Sequence, residues 1–387
     1  MKKQNHPKIY KKFHSFENFI TKSERDISEI KKALISMISD ETKINEIGKN
    51  DMKILNLLKK DLLSNEDQKE FKFNLKPNVV DEIKIIDPKK VPLYLINRYK
   101  YEIFPQKKIV EDYPPLLQIE PSSICNYRCI FCFETDKSFT NKKNGFMGQM
   151  KLDFFKKIID EAEGKIGFIT LASRGEPLVA KEINEMLKYT TGKFLNIKLN
   201  TNASLMTEKT SHAILSSGVN TLIFSADAAD EDLYSKLRVN GKLSTILKNI
   251  ERFKTIHSKN YPNKKIITRI SGVKFNNDQK IIDMEKFWKD LVDQVAFVKY
   301  NPWENSYLKE PNKVKEPCSD LWRRMFIWWD GNTNPCDVDY KSHLSVGKFP
   351  EKNLKDLWNS SKYKSLRKSH LESKRGEIKP CQSCVVT

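Results

Sequence analysis

Seven cysteines fall into two sets by spacing: Cys125, Cys129 and Cys132 in CNYRCIFC, and Cys318, Cys336, Cys381 and Cys384 further on. Closely spaced thiols in a chain with no visible secretory leader point to metal or cluster binding rather than disulfides. A zinc site takes four protein ligands and pairs its cysteines as Cys-x2-Cys. An iron–sulfur cube also takes four ligands, so three thiolates leave one iron open to a ligand that is not protein. The competing reading is three small apolar side chains in a core. Asn126 and Arg128 inside the run argue instead for a loop. The second set has four thiols, enough for an all-cysteine zinc site or a fully ligated [4Fe–4S] cube, with zinc slightly favoured on spacing alone.

The elements around these residues set the frame. A strand over Leu116 to Glu120 leads directly into the first cysteine loop. Further strands are expected over Ile166 to Leu171, Phe194 to Leu199, Val219 to Phe224, Ile266 to Ile270 and Val295 to Tyr300. Between them lie helices: one with Leu152, Phe155, Ile158, Ile159 and Ala162 on a single face, then Glu182 to Tyr189, Glu208 to Leu215, Leu243 to His257 and Asp278 to Leu291. This alternation implies a parallel sheet with right-handed crossovers. In parallel barrels the chemistry sits at the C-terminal strand ends.

Upstream, Ile27 to Ser39 and Met52 to Leu63 carry apolar residues at helical spacing, while Asn74 to Ile86 gives no clear period. Residues 1–112 are therefore expected to form a mostly helical extension. Downstream of Pro302 the alternation stops. Phe326 to Trp329 and Asn334 to Asp337 flank Asp330-Gly331 as a hairpin, and Leu354 to Leu371 reads as one helix delivering the last two cysteines.

The CxxxCxxC run with Phe131 before its third cysteine resembles the signature of the radical S-adenosylmethionine (SAM) superfamily. Ala172-Ser173-Arg174-Gly175-Glu176-Pro177 resembles that family's GGE segment, with Arg in place of the first Gly. Asn200-Thr201-Asn202 and Ser225-Ala226-Asp227 resemble its strand-end NTN and S-x-D segments. Cys318-x12-Gly331-x4-Cys336 with Cys381 and Cys384 is similar to the SPASM and twitch auxiliary domains, and its spacing to that of 2-deoxy-scyllo-inosamine dehydrogenases. Cysteines for a further auxiliary cluster are absent, which matches the shorter twitch form. The resemblance covers roughly residues 113–387 and reverses the preference for zinc.

The resemblance implies an α/β fold: a partial (β/α)6 TIM barrel over 113–304, a mostly helical N-terminal extension over 1–112, and a small C-terminal twitch (half-SPASM) domain over 305–387. It implies SAM and two [4Fe–4S] clusters. Cys125, Cys129 and Cys132 would hold the SAM-binding cluster, and Cys318, Cys336, Cys381 and Cys384 the auxiliary one. It places Phe131, Gly175, Glu176, Asn202, Ser225, Asp227, Arg238 and Ser271 at SAM, with Arg238 forking onto the SAM carboxylate. A 5′-deoxyadenosyl radical would abstract hydrogen from a substrate C–H, and the auxiliary cluster would take an electron. Asp337 is the expected base and Asp339 its alternative; Arg174 and Lys299 are candidate contacts to an anionic substrate.

The expected substrate is a small molecule of the sugar, cyclitol or nucleotide-sugar class, phosphorylated or nucleotide-linked. Alternatives are a peptide maturase (oxidation, cross-linking or epimerisation) and a non-catalytic cluster- or zinc-binding interaction protein. An electron donor such as flavodoxin or ferredoxin is implied.

Composition bounds the remainder. With 387 residues and 39% hydrophobic content the chain can build a large core and more than one domain. Its mean hydropathy of -0.59 and the lack of any long apolar run give no membrane span. No apolar segment follows MKKQNHPKIYKKF, so a cytoplasmic location is expected. The net charge of +19 suits anionic partners, though lysines spread along the chain equally make a solvated surface. Without an RNA-recognition signature, nucleic acid is not an expected partner.

Overall fold

The structure, a computed structural model, describes residues 9–12, 15–21, 27–44, 47–64, 71–301, 303 and 306–387. The expected border between residues 304 and 305, Pro302 and most of the basic start lie outside them. Twelve strands occur among the described residues. In chain order they are β1 Phe16–Thr21, β2 Leu116–Ile119, β3 Arg128–Cys129, β4 Phe168–Leu171, β5 Asn196–Thr201, β6 Thr221–Ser225, β7 Arg238–Val239, β8 Ile267–Lys274, β9 Gln294–Lys299, β10 Arg324–Ile327, β11 Asn332–Asn334 and β12 Gly347–Lys348.

β2, β4, β5, β6, β8 and β9 pair in parallel in that order, the six strands of the partial barrel. Helices cross between them: Leu152–Ala162, Ile183–Tyr189, Glu208–Leu215, Leu243–Asn260 and Ile281–Trp288. Helix Leu152–Ala162 buries Phe155, Ile158, Ile159 and Ala162, the face expected from its spacing. Leu117, Ile119, Ile169, Leu171, Ile197, Leu199, Leu222 and Phe224 join such helix faces in one core outside the strands.

Two features go beyond expectation and one differs from it. The N-terminal extension also holds β1, which pairs antiparallel with β9 (Phe19↔Ala296) and adds a strand to the barrel sheet. The C-terminal hairpin continues that sheet, because β10 lies parallel to β2 (Leu116↔Arg324 to Ile119↔Ile327) and leads on through β11 and β12. The expected single helix over Leu354 to Leu371 is broken into Leu354–Trp358 and Ser361–Leu371. Ser360 starts the second piece as its N-cap, accepting from the Tyr363 amide at 3.3 Å.

The hairpin turn falls at Asp330-Gly331 as expected. Gly331 has φ +88°, and a Cβ there would run into the Phe349 carbonyl.

Helices Pro77–Ile85 and Val91–Lys107 close the N-terminal end of the barrel. Helix Val91–Lys107 is buried nearly all round, which explains its weak amphipathic signal. Tyr94 packs against Phe168 with ring centroids 5.5 Å apart, while Glu82, Arg98 and Glu102 turn toward the barrel interior. Near the opposite flank, Tyr10 to Lys12 zip to Val385 to Thr387 (Tyr10 N to Val385 O 2.9 Å, Thr387 N to Tyr10 O 3.0 Å). Among the described residues no helix is long and apolar enough to cross a membrane.

Candidate active site

The first thiol set occupies the loop that leaves β2. Cys129 lies in the short strand β3, paired antiparallel with β7 so that Cys129 faces Arg238. Cys125, Cys129, Cys132, Phe131, Tyr127 and Leu237 share one packing cluster with Phe275 and Tyr300. The Tyr127 amide points at Cys125 Sγ (3.4 Å) and Arg238 Nη1 at Cys129 Sγ (3.8 Å). Burial pushes the Cys125 thiol up to about 12, and Cys129 and Cys132 also upward. Such thiols become thiolates only with a strong positive charge at hand, which bound iron supplies.

The expected SAM contacts surround this loop. Gly175 crosses its backbone: a Cβ there would lie 2.5 Å from Ser123 C and 2.6 Å from Ile124 O. Glu176 then locks the neighbouring strand end, accepting from Thr201 Oγ1 (2.6 Å), the Asn202 amide (2.7 Å) and the Leu178 amide (3.1 Å). Asn202 donates to Asn126 Oδ1 at 2.9 Å, beside Cys125. Ser225, the last residue of β6, is the register partner of Ser271, which lies within β8 and not at its end as expected.

Asp227, fully buried, forms a 2.5 Å ion pair with Arg238 Nε and accepts from the Val273 amide at 2.6 Å. Arg238 is thereby aimed at Cys129 and over the Phe131 ring, 5.9 Å from its centroid. Asp227 thus orients the arginine, since both its oxygens are occupied by the protein.

The second set assembles from three chain segments. Cys318 precedes β10, Cys336 follows β11, and Cys381 and Cys384 sit at the end of the described chain. Buried Arg375 staples them: its guanidinium donates to Glu316 O (2.8 Å), Cys384 O (2.9 Å) and Val386 O (3.0 Å). The Cys318 amide donates to His370 Nδ1 at 3.2 Å, and the Val338 amide points at Cys336 Sγ at 3.2 Å.

All seven thiols are free. Among the described residues no three Cys, His, Asp or Glu side chains converge tightly enough to chelate a single ion.

The two candidate bases separate. Asp337 lines the barrel cavity, with Oδ1 3.9 Å from Lys12 Nζ and no hydrogen-bond partner. Asp339 is fully buried and holds its own loop together. It accepts from Tyr307 OH (2.6 Å) and from the Leu344 and His343 amides (2.7 and 3.0 Å). Burial pushes it up to about 6. Its oxygens are occupied, so Asp339 is an organiser of the loop and not the alternative base.

Two expected anion contacts are likewise corrected. Arg174 is buried, with Nε and Nη2 on Glu120 (2.7 and 2.6 Å) and Nη1 on Tyr340 O (2.9 Å). It docks the C-terminal loop onto the barrel. Lys299 is exposed and lies outside the cavity lining.

That cavity, about 750 Å³, runs through the barrel and is lined by seven lysines and arginines against three carboxylates, so its walls are net cationic. Lys12, Lys198, Arg269 and Arg324 among them were not singled out from the sequence. A signal was present: Asn196, Lys198 and Asn200 place a polar residue at every second position of a strand that should be apolar on both faces.

A parallel barrel with three free thiols at its first strand end and four more beside it defines a cluster-carrying α/β scaffold. Residues 119–287 match the Radical SAM superfamily model, and residues 318–385 match the SPASM model, an iron–sulfur cluster-binding domain. The chain belongs to the radical SAM superfamily and carries a SPASM domain. SAM and a [4Fe–4S] cluster go with that superfamily, and auxiliary cluster binding with that domain.

Over 187 residues it is 26% identical to GTP 3′,8-cyclase of Campylobacter lari, covering 48% of this chain and 55% of that protein. The match thus spans about half the length of that relative. SuiB of Streptococcus suis bound to precursor peptide SuiA aligns over 92% of this chain and 86% of its own, with TM-score 0.55 and 18% identity. The structure of anSMEcpe with bound AdoMet covers 70% of this chain and 88% of its own, with TM-score 0.50 and 18% identity. These two likenesses concern the fold.

Proposed function

We propose that the chain is an oxidising radical SAM enzyme acting on an anionic small molecule of the sugar, cyclitol or nucleotide-sugar class. The observation that carries this reading is the net cationic cavity with Asp337 in its wall. Cys125, Cys129 and Cys132 would hold the SAM-binding [4Fe–4S] cluster, and Cys318, Cys336, Cys381 and Cys384 the auxiliary one. When bound, these groups and SAM supply hydrogen-atom abstraction from an unactivated C–H and an acceptor for one electron.

The chain's own residues do the rest. Arg238, fixed by Asp227, presents its guanidinium beside Cys129, where it neutralises thiolate charge and offers donors to a carboxylate. Glu176 and Asn202 hold the cysteine loop against the strand ends, and Ser225 and Ser271 edge the same rim. Phe131, Phe275 and Tyr300 give apolar walls, with Phe131 and Phe275 centroids 5.8 Å apart. Asp337 takes the substrate proton at Oδ1, so loss of a hydrogen atom, an electron and a proton turns a C–OH into a carbonyl.

The name of the Campylobacter lari relative states GTP as the molecule cyclised, which agrees with an anionic ligand. A peptide, as in the SuiB complex, is the second reading; the alignment reaching into the N-terminal helices favours it. The cationic side chains in the cavity lining favour the small molecule. An acidic flavodoxin or ferredoxin suits the charge of +19 as electron donor.

Anaerobic reconstitution with iron and sulfide counts, followed by dithionite and SAM, tests the reading. Two cubes and release of 5′-deoxyadenosine are expected, whereas stoichiometric zinc without SAM cleavage overturns it. With phosphorylated sugars and nucleotides as a substrate panel, Asp337→Asn is expected to retain 5′-deoxyadenosine release and lose oxidised product. Unchanged product formation removes Asp337 as base.

A further inference from the structure

Among the described cations of the cavity lining, Arg269 is the one with no carboxylate within ion-pair distance. Register places Asn200 of β5, Ile223 of β6 and Arg269 of β8 in one row, where barrels ordinarily put branched apolar side chains. Arg269 is only 6% exposed. Its Nε donates to Gln294 Oε1 at 2.6 Å. Gln294 in turn donates to Asp81, which also accepts from Thr21 Oγ1 at 2.5 Å. The Phe19 ring covers one face of the guanidinium, 5.3 Å from its carbon to the ring centroid. Nε is therefore anchored, whereas Nη2 is buried without a hydrogen-bond partner.

The neighbouring cations each have a carboxylate at hand, with Asp320 shared by Lys12, Arg323 and Arg324. Lys198 pairs with Glu82 (2.7 Å), Arg98 with Glu102 (2.7 Å), and Lys12 and Arg324 with Asp320. No carboxylate among the described residues lies within ion-pair distance of Arg269, and Asn200 Oδ1 in the same row also lacks a partner. A buried guanidinium held in place by neutral groups is costly unless an anion arrives to meet it.

We infer that Arg269, flanked by Asn200 and Lys198, is the seat for an oxyanion of the substrate, a phosphoryl or carboxylate group. This rests on the proposed oxidation of a small anionic molecule and names the end by which that molecule is held. The Nη edge offers the paired donors that a planar fork gives and a lysine does not. Gln294 and Asp81 act as positioning residues.

The test is calorimetric binding of inorganic pyrophosphate and, separately, citrate to the reconstituted protein, against chloride at matched ionic strength. Wild type is expected to bind at least one of them. Preference for pyrophosphate assigns a phosphoryl group, and preference for citrate a carboxylate. Arg269→Gln is expected to weaken binding about tenfold or more, the loss of a charged hydrogen-bond pair. Arg269→Lys is expected to recover only part of it, and Lys299→Gln to bind as wild type.

Binding by Arg269→Gln equal to wild type overturns the assignment, as does wild type binding neither anion. Should Arg269→Gln fail to fold, as judged by melting and iron content, Asn200→Ala is expected to bind severalfold more weakly, and unchanged binding there overturns the assignment too. SAM cleavage by wild type is scored independently. Its absence fails the enzymatic proposal, whereas lost anion selectivity with cleavage intact fails only the seat.

Discussion

Replacing Arg174 by Met should unseat the C-terminal loop. The guanidinium of Arg174 makes two short bonds to Glu120, its amide makes a third at 3.1 Å, and Nη1 holds Tyr340 O. It also stacks 4.3 Å from the Trp328 ring centroid. Glu120 is fully buried and Arg174 nearly so, so breaking the pair leaves a bare carboxylate in the interior. That costs about 3–5 kcal/mol, a large part of the roughly 5–15 kcal/mol that a domain has in total.

Glu120→Gln alone leaves the converse, a buried cation without its counter-charge. The double variant Glu120→Gln/Arg174→Met removes both charges and should cost less than the sum of the singles by about 2 kcal/mol or more. Urea unfolding of the four reconstituted proteins, followed by tryptophan fluorescence, gives the cycle. Trp328 and Trp329 lie beside the pair, so the probe reports on the site. Additive single effects, or a cost below about 1 kcal/mol for Arg174→Met, would refute the assignment of Arg174 as an interior staple.

Gly175→Ala should lower iron incorporation at the first thiol set, because the new methyl meets backbone at 2.5–2.6 Å in the segment leading to Cys125; an iron count checks it. Glu82 is held down to about 2, against the cost of burial, chiefly by the charges of Lys198 and Arg98. Its contribution is present above the ordinary carboxylate pKa and lost as pH falls toward 2, of order 3 kcal/mol over the full range. Glu82→Gln should therefore flatten the pH dependence of stability between about pH 5 and 3 relative to wild type, measured by urea midpoints.

The six barrel strands were legible because parallel strands alternating with amphipathic helices repeat the same two patterns six times. The thiol sets were legible because spacing is itself the signal. β1 was not: Phe16 to Thr21 is six residues long, and its partner, β9, lies some 280 positions away. Asp337 and Asp339 look equivalent in sequence, and only the fold of the loop sends one to the cavity and surrounds the other with donors. Arg174, read as a substrate contact, illustrates the same limit, since its carboxylate partner at Glu120 comes from another strand end. Arg269 and Lys198 needed the register, because a charge on a strand says nothing of which face it is on until its neighbours are aligned.

The continuity of the sheet across β2 and β10 bears on electron transfer. The first thiol loop grows from the end of β2, while Cys318 and Cys336 flank the hairpin that begins at β10, directly hydrogen-bonded beside it. On the proposed reading the two cluster sites are thus mounted on adjacent strands of one sheet, at a separation set by hydrogen-bond spacing and loop length rather than by a hinge. Passage of an electron from a substrate radical to the auxiliary site would then need no domain closure, so its rate should be indifferent to solvent viscosity.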